Sequence, residues 1–205
     1  MTINPVQFPK FSLPLNKVLA RLGYAAGKTK LDAKIKDILD EELEAAGRLF
    51  TPRQVLASSA AELSGAAVLL IPSFTIESMD IFKLFTGCSQ AAGFAVTIGP
   101  ALEARRDRYL KDKETTRALM LDAAGSVAAE ELADITNAQI KKEAAKRGLT
   151  ATRRFSPGYG DWSVSGQKGL LNWLGAGQIG IKLTDSFQMI PEKSVSAIIG
   201  LRTGE

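Results

Sequence analysis

Residues 154–162 read RFSPGYGDW and combine residue types that can bind a small charged ligand. An arginine offers paired N–H donors that match a carboxylate, and an aromatic ring attracts a cation through its quadrupole. Proline and glycine produce the sharp turns that bring backbone groups close to a ligand. Such a segment is typical either of a simple chain reversal or of a loop shaped to hold something, and the rest of the sequence must distinguish the two.

The amino-acid composition excludes several kinds of chemistry. The chain has no histidine, so imidazole catalysis, Ser/His triads and histidine ligands to a metal are excluded. Its single cysteine, Cys88, excludes an intramolecular disulfide, a CxxC redox pair and an all-cysteine iron–sulfur cluster on one chain. Cys88 lies in the apolar segment FTGCSQAAGF, and we predict a small buried residue rather than a nucleophile. We therefore expect no catalytic residue and no metal site.

Length and charge indicate one globular domain. We predict a single domain over residues 1–205, because 205 residues suffice for one core but not comfortably for two. The net charge of +4 is too small to indicate a nucleic-acid partner. The densest basic stretch, residues 141–154, is interrupted by acidic and apolar residues. It fits a solvated helix end better than a docking face for an acidic partner.

We expect no membrane partner and a cytoplasmic location. The longest apolar run, GAAVLLIP at 65–72, is far shorter than the roughly 18 to 20 residues that span a bilayer. Residues 1–14 lack the small-residue cleavage pattern of a signal peptide.

Periodicity predicts helices and strands without a regular βαβ alternation. Predicted helices cover 15–22, 31–46, 77–84, a short segment after Pro100, 114–147 and 166–175, the last with Ser165 as its N-cap. Predicted strands cover 48–58, 66–72, 93–99, 179–184 and 194–201. Gly125 either permits close approach of another element or divides the long helix in two. This order predicts an α+β fold on a largely antiparallel sheet.

Residues 175–180, GAGQIG, match the GxGxxG pattern of dinucleotide-binding proteins. That pattern works when a strand precedes it and a helix follows, because the pyrophosphate then lies at the helix N-terminus. Here a helical pattern precedes and a strand-like pattern follows. We therefore interpret GAGQIG as a helix end and a turn.

Two segments, RRFSPGYGDWSVSGQKGLLNWL and IGIKLTDSFQMIPEKSVSAIIGL, resemble the activation domain of vitamin B12-dependent methionine synthase, in particular its stand-alone relatives. The resemblance rests on an Arg-x-x-Pro-Gly-Tyr loop at 154–159, a Leu-Thr-acidic-Ser-Phe-x-Met-x-Pro segment at 183–191 and Ser-Val-Ser at 194–196. It is specific over about 145–201 and weaker over 90–140. Upstream it rests mainly on VLARLGY at 18–24.

The resemblance implies a single C-shaped domain with a bent antiparallel sheet flanked by helices. It also implies that the protein binds S-adenosylmethionine and presents it to the oxidised corrinoid of a partner methionine synthase or corrinoid methyltransferase. Cobalamin would then be met only through that partner, and a flavodoxin-like or ferredoxin-like carrier would supply the electron. A homo-oligomer is a further possibility, because one chain alone could leave the ligand site incomplete.

Residues matching the family's loop are implied to bind S-adenosylmethionine. Arg154 would face its carboxylate, and Glu130 would counter its ammonium or sulfonium charge, with Glu131 as a close competitor. Backbone groups of Phe155, Ser156, Pro157 and Gly158 would contact adenine and ribose. Tyr159 is either an aromatic wall for adenine or sulfonium, or an ordinary core tyrosine. Thr184, Asp185 and Ser186 form either a turn with local bonds or ligand contacts, while Asp161 and Trp162 are expected to position the following helix.

The sequence departs from the larger domain in two places. An early Asp-Trp element has no counterpart before Gly47, and the chain ends at Glu205, before the tyrosine that closes the family's site. We therefore expect that a second chain or the corrinoid partner could complete the pocket. The alternative function is a corrinoid-protein interaction module that does not bind S-adenosylmethionine.

Overall fold

The computed structural model of the protein describes residues 13–25, 31–70 and 74–203. Within these residues the helices are α1 Leu15–Arg21, α2 Ala33–Leu49, α3 Met79–Leu84, α4 Ala101–Lys111, α5 Thr115–Lys146 and α6 Gly166–Leu174. The strands are β1 Arg53–Ser64, β2 Ala67–Leu70, β3 Phe74–Glu77, β4 Gln90–Thr97, β5 Leu149–Ala151, β6 Lys182–Leu183, β7 Met189–Ile190 and β8 Ser194–Thr203.

Six strands form one antiparallel sheet in the order β3-β2-β1-β4-β8-β5, and β6 pairs with β7 in a separate hairpin. β1 joins two parts of the sheet, because residues 53–60 pair with β4 and residues 61–64 pair with β2. The predicted α+β class with an antiparallel sheet is confirmed.

Helices cover both faces of the central strands. On β4, Phe94 and Val96 belong to the apolar cluster that contains α5, whereas Ala91 and Ala95 belong to the cluster that contains α6. Successive side chains of a strand point to opposite faces, so a strand covered on both sides must be apolar throughout. This explains why QAAGFAVT shows no polar alternation.

Two glycines set how closely helices approach. α5 runs unbroken through Gly125, where a Cβ atom would lie 2.8 Å from Cδ2 of Leu102. Gly125 therefore permits close packing of α4 and does not divide the helix. At Gly93, a Cβ atom would lie 2.5 Å from Cζ3 of Trp173, so β4 accepts the indole ring of α6 only because the side chain is absent.

The long helical predictions are confirmed, and the errors concern ends and short strands. The strand predicted from residue 48 begins at Arg53, because α2 continues to Leu49. Ser165 is not a side-chain cap, because its own backbone is already helical (φ −60°, ψ −23°). Of the strand predicted at 179–184, only Lys182–Leu183 forms. Sequence periodicity gave no indication of β3, β5 or β7, which are two to four residues long.

GAGQIG is a helix end and a turn, as the sequence indicated. Gly175 ends α6 in the left-handed conformation (φ +66°), and a short 3₁₀ helix, Ala176–Ile179, follows. No strand precedes it to place a phosphate at a helix N-terminus.

Some expectations fall partly or wholly outside the described residues. The comparison of residues 1–14 with a signal peptide concerns mostly residues 1–12, which lie outside them, and the single domain over 1–205 stays a prediction. Among the described residues, no helix has the length and apolar character needed to cross a bilayer. Lys141, Lys142 and Lys146 are exposed on the last turns of α5, as a solvated helix end requires.

One buried carboxylate joins three helices. Glu42 of α2 is 1% exposed, accepts a hydrogen bond of 2.9 Å from the Tyr109 hydroxyl of α4, and pairs with Arg117 of α5. Its second oxygen, Oε2, is buried without a hydrogen-bond partner. A buried carboxylate that lost its cation would be left uncompensated, which is costly.

We predict that Arg117→Met lowers the free energy of unfolding by about 3 kcal/mol, the low end of the range for breaking a buried ion pair, because Arg117 is itself partly exposed. Arg48→Met is the matched control. Arg48 pairs with Glu44 on the exposed side of α2, and its loss should cost less than about 1 kcal/mol. Urea unfolding measures both values, and equal losses would contradict the role given to Glu42.

Candidate functional site

A groove of about 430 Å³ lies beside the loop 154–162, which is called the Arg154 loop below. Its lining residues come from α5, the Arg154 loop and the preceding Arg153, α6, β7 and β8: Glu130, Arg153, Arg154, Phe155, Ser156, Pro157, Tyr159, Gln167, Met189, Ser194, Val195 and Ser196. Six of the seven residues expected to bind a ligand therefore meet at one groove, and Gly158 is the exception.

The Arg154 loop is fixed to the sheet at its start. The N–H of Phe155 donates to the C=O of Ile198 at 2.9 Å, and the N–H of Ile198 donates back at 2.8 Å. The Phe155 ring is 6% exposed and lies in the core, with the Arg153 guanidinium 5.1 Å from its centroid. Both backbone groups of Phe155 are thus already paired with Ile198, and the expected contact of Phe155 with adenine or ribose stays a prediction.

The loop also closes on itself. The N–H of Gly158 donates to the C=O of Trp162 at 2.8 Å, and Gly158 has a φ of +90°, which a side chain would strain. Among the described residues, the Ser156 N–H and the carbonyls of Pro157 and Gly158 have no hydrogen-bond partner. Within residues 155–158, these three are the backbone groups that are available to a ligand.

Asp161 anchors the loop to α3, not to the following helix as expected. Its carboxylate accepts hydrogen bonds from the Ser78 hydroxyl, from the Met79 N–H at 2.7 Å and from the Asp80 N–H at 3.3 Å. It therefore caps the start of α3 from a distant part of the chain. The hydrogen bond from Ser78 holds the pKa of Asp161 below its ordinary value.

Trp162 does contact the following helix, as expected. Its ring is 4% exposed, and a Cβ atom added to Gly166 would lie 2.9 Å from Cε2 of the indole. Gly166 at the start of α6 thus allows the helix to begin directly against the ring.

Arg154 and Glu130 form an ion pair across the groove. An Arg154 nitrogen lies 2.8 Å from Oε2 of Glu130 and 3.2 Å from Oδ1 of Asp134, one turn further along α5. Glu131, the competitor considered for Glu130, pairs instead with Lys17 of α1 and does not line the groove. Of the two adjacent glutamates, Glu130 therefore lies at the groove and Glu131 does not, because α5 directs their side chains differently.

Tyr159 lies at the rim of the groove and is 68% exposed, which rules out a core tyrosine. The 184–188 segment is a turn with local bonds, as one of its two interpretations held. The Thr184 N–H donates to the C=O of Gln188, and the Thr184 C=O accepts from the N–H of Phe187. The Thr184 hydroxyl lies 2.9 Å from that of Ser186. Thr184 and Asp185 line a different depression from the groove.

Sequence reasoning missed several lining residues, and Gln167 is the clearest case. It is 4% exposed on α6, and its Nε2 donates to the Ser196 hydroxyl at 2.6 Å. Ser196 in turn accepts a 2.6 Å hydrogen bond from the Ser156 hydroxyl at its C=O. The Ser-Val-Ser segment was noticed, but its pattern alone did not reveal that Ser196 links α6 to the Arg154 loop.

The groove described above is the first section of a longer depression. A second section of about 520 Å³ shares one wall with it. The shared residues are Glu130, Pro157, Gln167, Met189, Ser194 and Val195. Arg21 of α1, Val164 and Phe187 line only the second section. The two sections together can hold an elongated ligand with both charged and apolar parts.

Among the described residues, no group of three or more His, Cys, Asp or Glu is placed to hold a metal ion. Cys88 is half-buried rather than fully buried, and burial raises the pKa of its thiol. A raised thiol pKa reduces the thiolate fraction that a nucleophile requires.

Residues 81–203 match the family model described as vitamin B12 dependent methionine synthase, activation domain. This match covers more than half of the chain. The chain belongs to the methionine synthase activation domain family. All residues of the first section lie within the matched span, whereas α1, α2, β1, β2 and β3 precede it.

A solved structure supports the fold of this activation domain. The crystal structure described as the MetH reactivation domain bound to AdoHcy aligns with a TM-score of 0.68 at 15% identity, over 91% of this chain and 74% of that chain. No curated protein matches the chain. The structural likeness therefore extends over more of the chain than the residues 81–203 that the family model matches.

We predict that Asp161→Ala destabilises the protein at neutral pH, because α3 loses the cap supplied by the Arg154 loop. A carboxylate with a lowered pKa stabilises the folded state above its unfolded-state pKa of about 4 and loses that effect as the pH falls through its folded-state pKa. The difference between wild type and variant should therefore shrink from pH 7 to pH 3 in urea unfolding.

The matched control for this prediction is Asp37→Ala, which removes an exposed carboxylate of α2. It should change stability little at either pH. A deficit of Asp161→Ala that stays constant between pH 7 and pH 3 would show that the charge of Asp161 does not contribute.

Proposed function

We propose that this protein binds S-adenosylmethionine in the groove and presents its methyl group to the oxidised corrinoid of a B12-dependent methionine synthase. In this reductive remethylation an external flavodoxin-like or ferredoxin-like donor supplies one electron. The partner's corrinoid, once reduced, would supply the nucleophile for the methyl carbon, and the carbon–sulfur bonding pair would leave with the sulfur. The chain itself binds and orients the donor, which accords with a protein that lacks histidine.

The observation that carries the proposal is the placement of Arg154 and Glu130 at one groove, 2.8 Å apart, beside the Arg154 loop. A guanidinium matches the ligand's carboxylate, and a carboxylate matches its ammonium or sulfonium group. The three unpaired backbone groups of the loop suit ribose or adenine, and the exposed Tyr159 ring suits a base or a cation. The residues present therefore fit the charges and the shape of S-adenosylmethionine.

One observation favours the alternative function. The Arg154 guanidinium is already held by two carboxylates of this chain, Glu130 and Asp134, so a ligand carboxylate must displace or share them. A corrinoid-protein interaction module that does not bind S-adenosylmethionine would keep this ion pair closed. The two functions are separated by direct binding measurements.

We predict that S-adenosylmethionine binds the wild-type protein with measurable heat, and that Arg154→Ala weakens binding at least tenfold, because a charge-assisted contact is lost. Isothermal titration calorimetry measures both affinities. Arg48→Ala, which removes an exposed arginine on α2, should bind as the wild type does. Absence of heat at millimolar ligand in the wild type would favour the interaction module.

We predict that the protein restores activity to an oxidised B12-dependent methionine synthase that lacks its own activation domain. The assay contains S-adenosylmethionine and reduced flavodoxin, and it follows the corrinoid absorbance spectrum. Omission of S-adenosylmethionine should abolish recovery. Recovery that is independent of S-adenosylmethionine would contradict the proposed function, and a complex that forms without any recovery would support the alternative.

A further inference from the structure

Gln167 is a buried polar residue whose hydrogen-bonding capacity is only partly used. A side-chain amide has two N–H donors and a carbonyl that can accept two bonds. One donor is bound by the Ser196 hydroxyl at 2.6 Å. Among the described residues, the second N–H and the carbonyl Oε1 have no partner, although the residue is only 4% exposed. Oε1 is not fully enclosed by protein, so it is open to the groove that Gln167 lines and can accept a hydrogen bond from a ligand there.

The position of Gln167 places this amide where both groove sections meet. Gln167 lines the first and the second section, together with Pro157, Met189 and Val195, which supply apolar surface to the same shared wall. The charged groups of the site, Arg154 and Glu130, already match the charged end of the proposed ligand. A neutral amide beside apolar side chains suits the remaining part, a flat and uncharged ring with polar edges.

We propose that Gln167 is a specificity-determining residue that recognises the amino-substituted edge of a purine base. This inference rests on the proposed function, since it names the part of S-adenosylmethionine that the shared wall holds. An amide that presents C=O beside N–H matches adenine, whose exocyclic amine donates and whose adjacent ring nitrogen accepts. Ser196 takes one N–H of Nε2, so the carbonyl oxygen is left to accept from the amine and the second N–H is left to donate to the ring nitrogen.

The neighbouring contacts keep the amide in place. The Ser156 hydroxyl donates to the C=O of Ser196, and the Ser196 hydroxyl accepts from Nε2 of Gln167. These two hydrogen bonds join the Arg154 loop, β8 and α6. Gln167 is thereby fixed against the same loop whose backbone groups remain available. A fixed amide discriminates between ligands better than a mobile one, because a mismatched edge leaves its polar atoms unpaired.

The test compares S-adenosylhomocysteine with S-inosylhomocysteine, whose base carries an oxo group at C6 and a proton on the adjacent ring nitrogen. The first carries an amine at C6 and the second an oxo group, which cannot donate to a carbonyl. Wild type should bind the adenosyl ligand about tenfold more tightly, the scale of a matched base contact. Gln167→Leu should bring this ratio close to one.

The ratio distinguishes recognition from a merely structural role. Damage to the fold would weaken both ligands alike and leave the ratio unchanged, and Gln178→Leu, an exposed glutamine outside both sections, is the control. Binding of both ligands with the same ratio in wild type and Gln167→Leu would overturn this inference while leaving the proposed function standing. Binding of neither ligand, with no heat from S-adenosylmethionine either, would overturn both.

Discussion

The pairing of Phe155 with Ile198 determines where the groove lies. These two hydrogen bonds attach the Arg154 loop to β8, which is itself held between β4 and β5. Once Phe155 is fixed, the buried ring orients the chain so that Arg154 lies beside α5, and the turn at Gly158 carries Tyr159 to the rim. Each later feature of the site, including the Ser196 contacts, depends on this register between a loop and a central strand.

Long-range contacts then give the loop its shape. Asp161 caps α3 from 81 to 83 residues away in sequence, and Arg154 meets Glu130 of α5 across 24 residues. The loop is therefore not an isolated turn but a junction between α3, α5 and β8. Its composition reflects these duties, because the aspartate and the tryptophan serve neighbouring elements while the arginine and the tyrosine face the groove.

Much of the fold could be predicted from local patterns, and the failures have identifiable physical causes. Apolar periodicity predicted the long helices. The helix end at Gly175 could be predicted because a helical pattern precedes it and a strand-like pattern follows. The start of β1 did not, because Leu49 and Phe50 pack against the core from the end of a helix and resemble a strand in apolar character. Gln167 was missed because a polar residue in an amphipathic helix is ordinarily exposed, and only the tertiary fold buries it.

The region before residue 81 packs against α5 and β4 and also contributes Arg21 to the second section of the groove. α1 and α2 pack Val18 and Leu39 against Met120 and Val127 of α5, and β1 pairs with β4 along eight residues. Without the preceding residues, the span that matches the family model would expose an apolar face of α5 and an unpaired edge of β4 to water. Both are surfaces on which chains stick to one another. The residues before 81 therefore cover apolar and strand-edge surfaces of the matched span that would otherwise favour self-association.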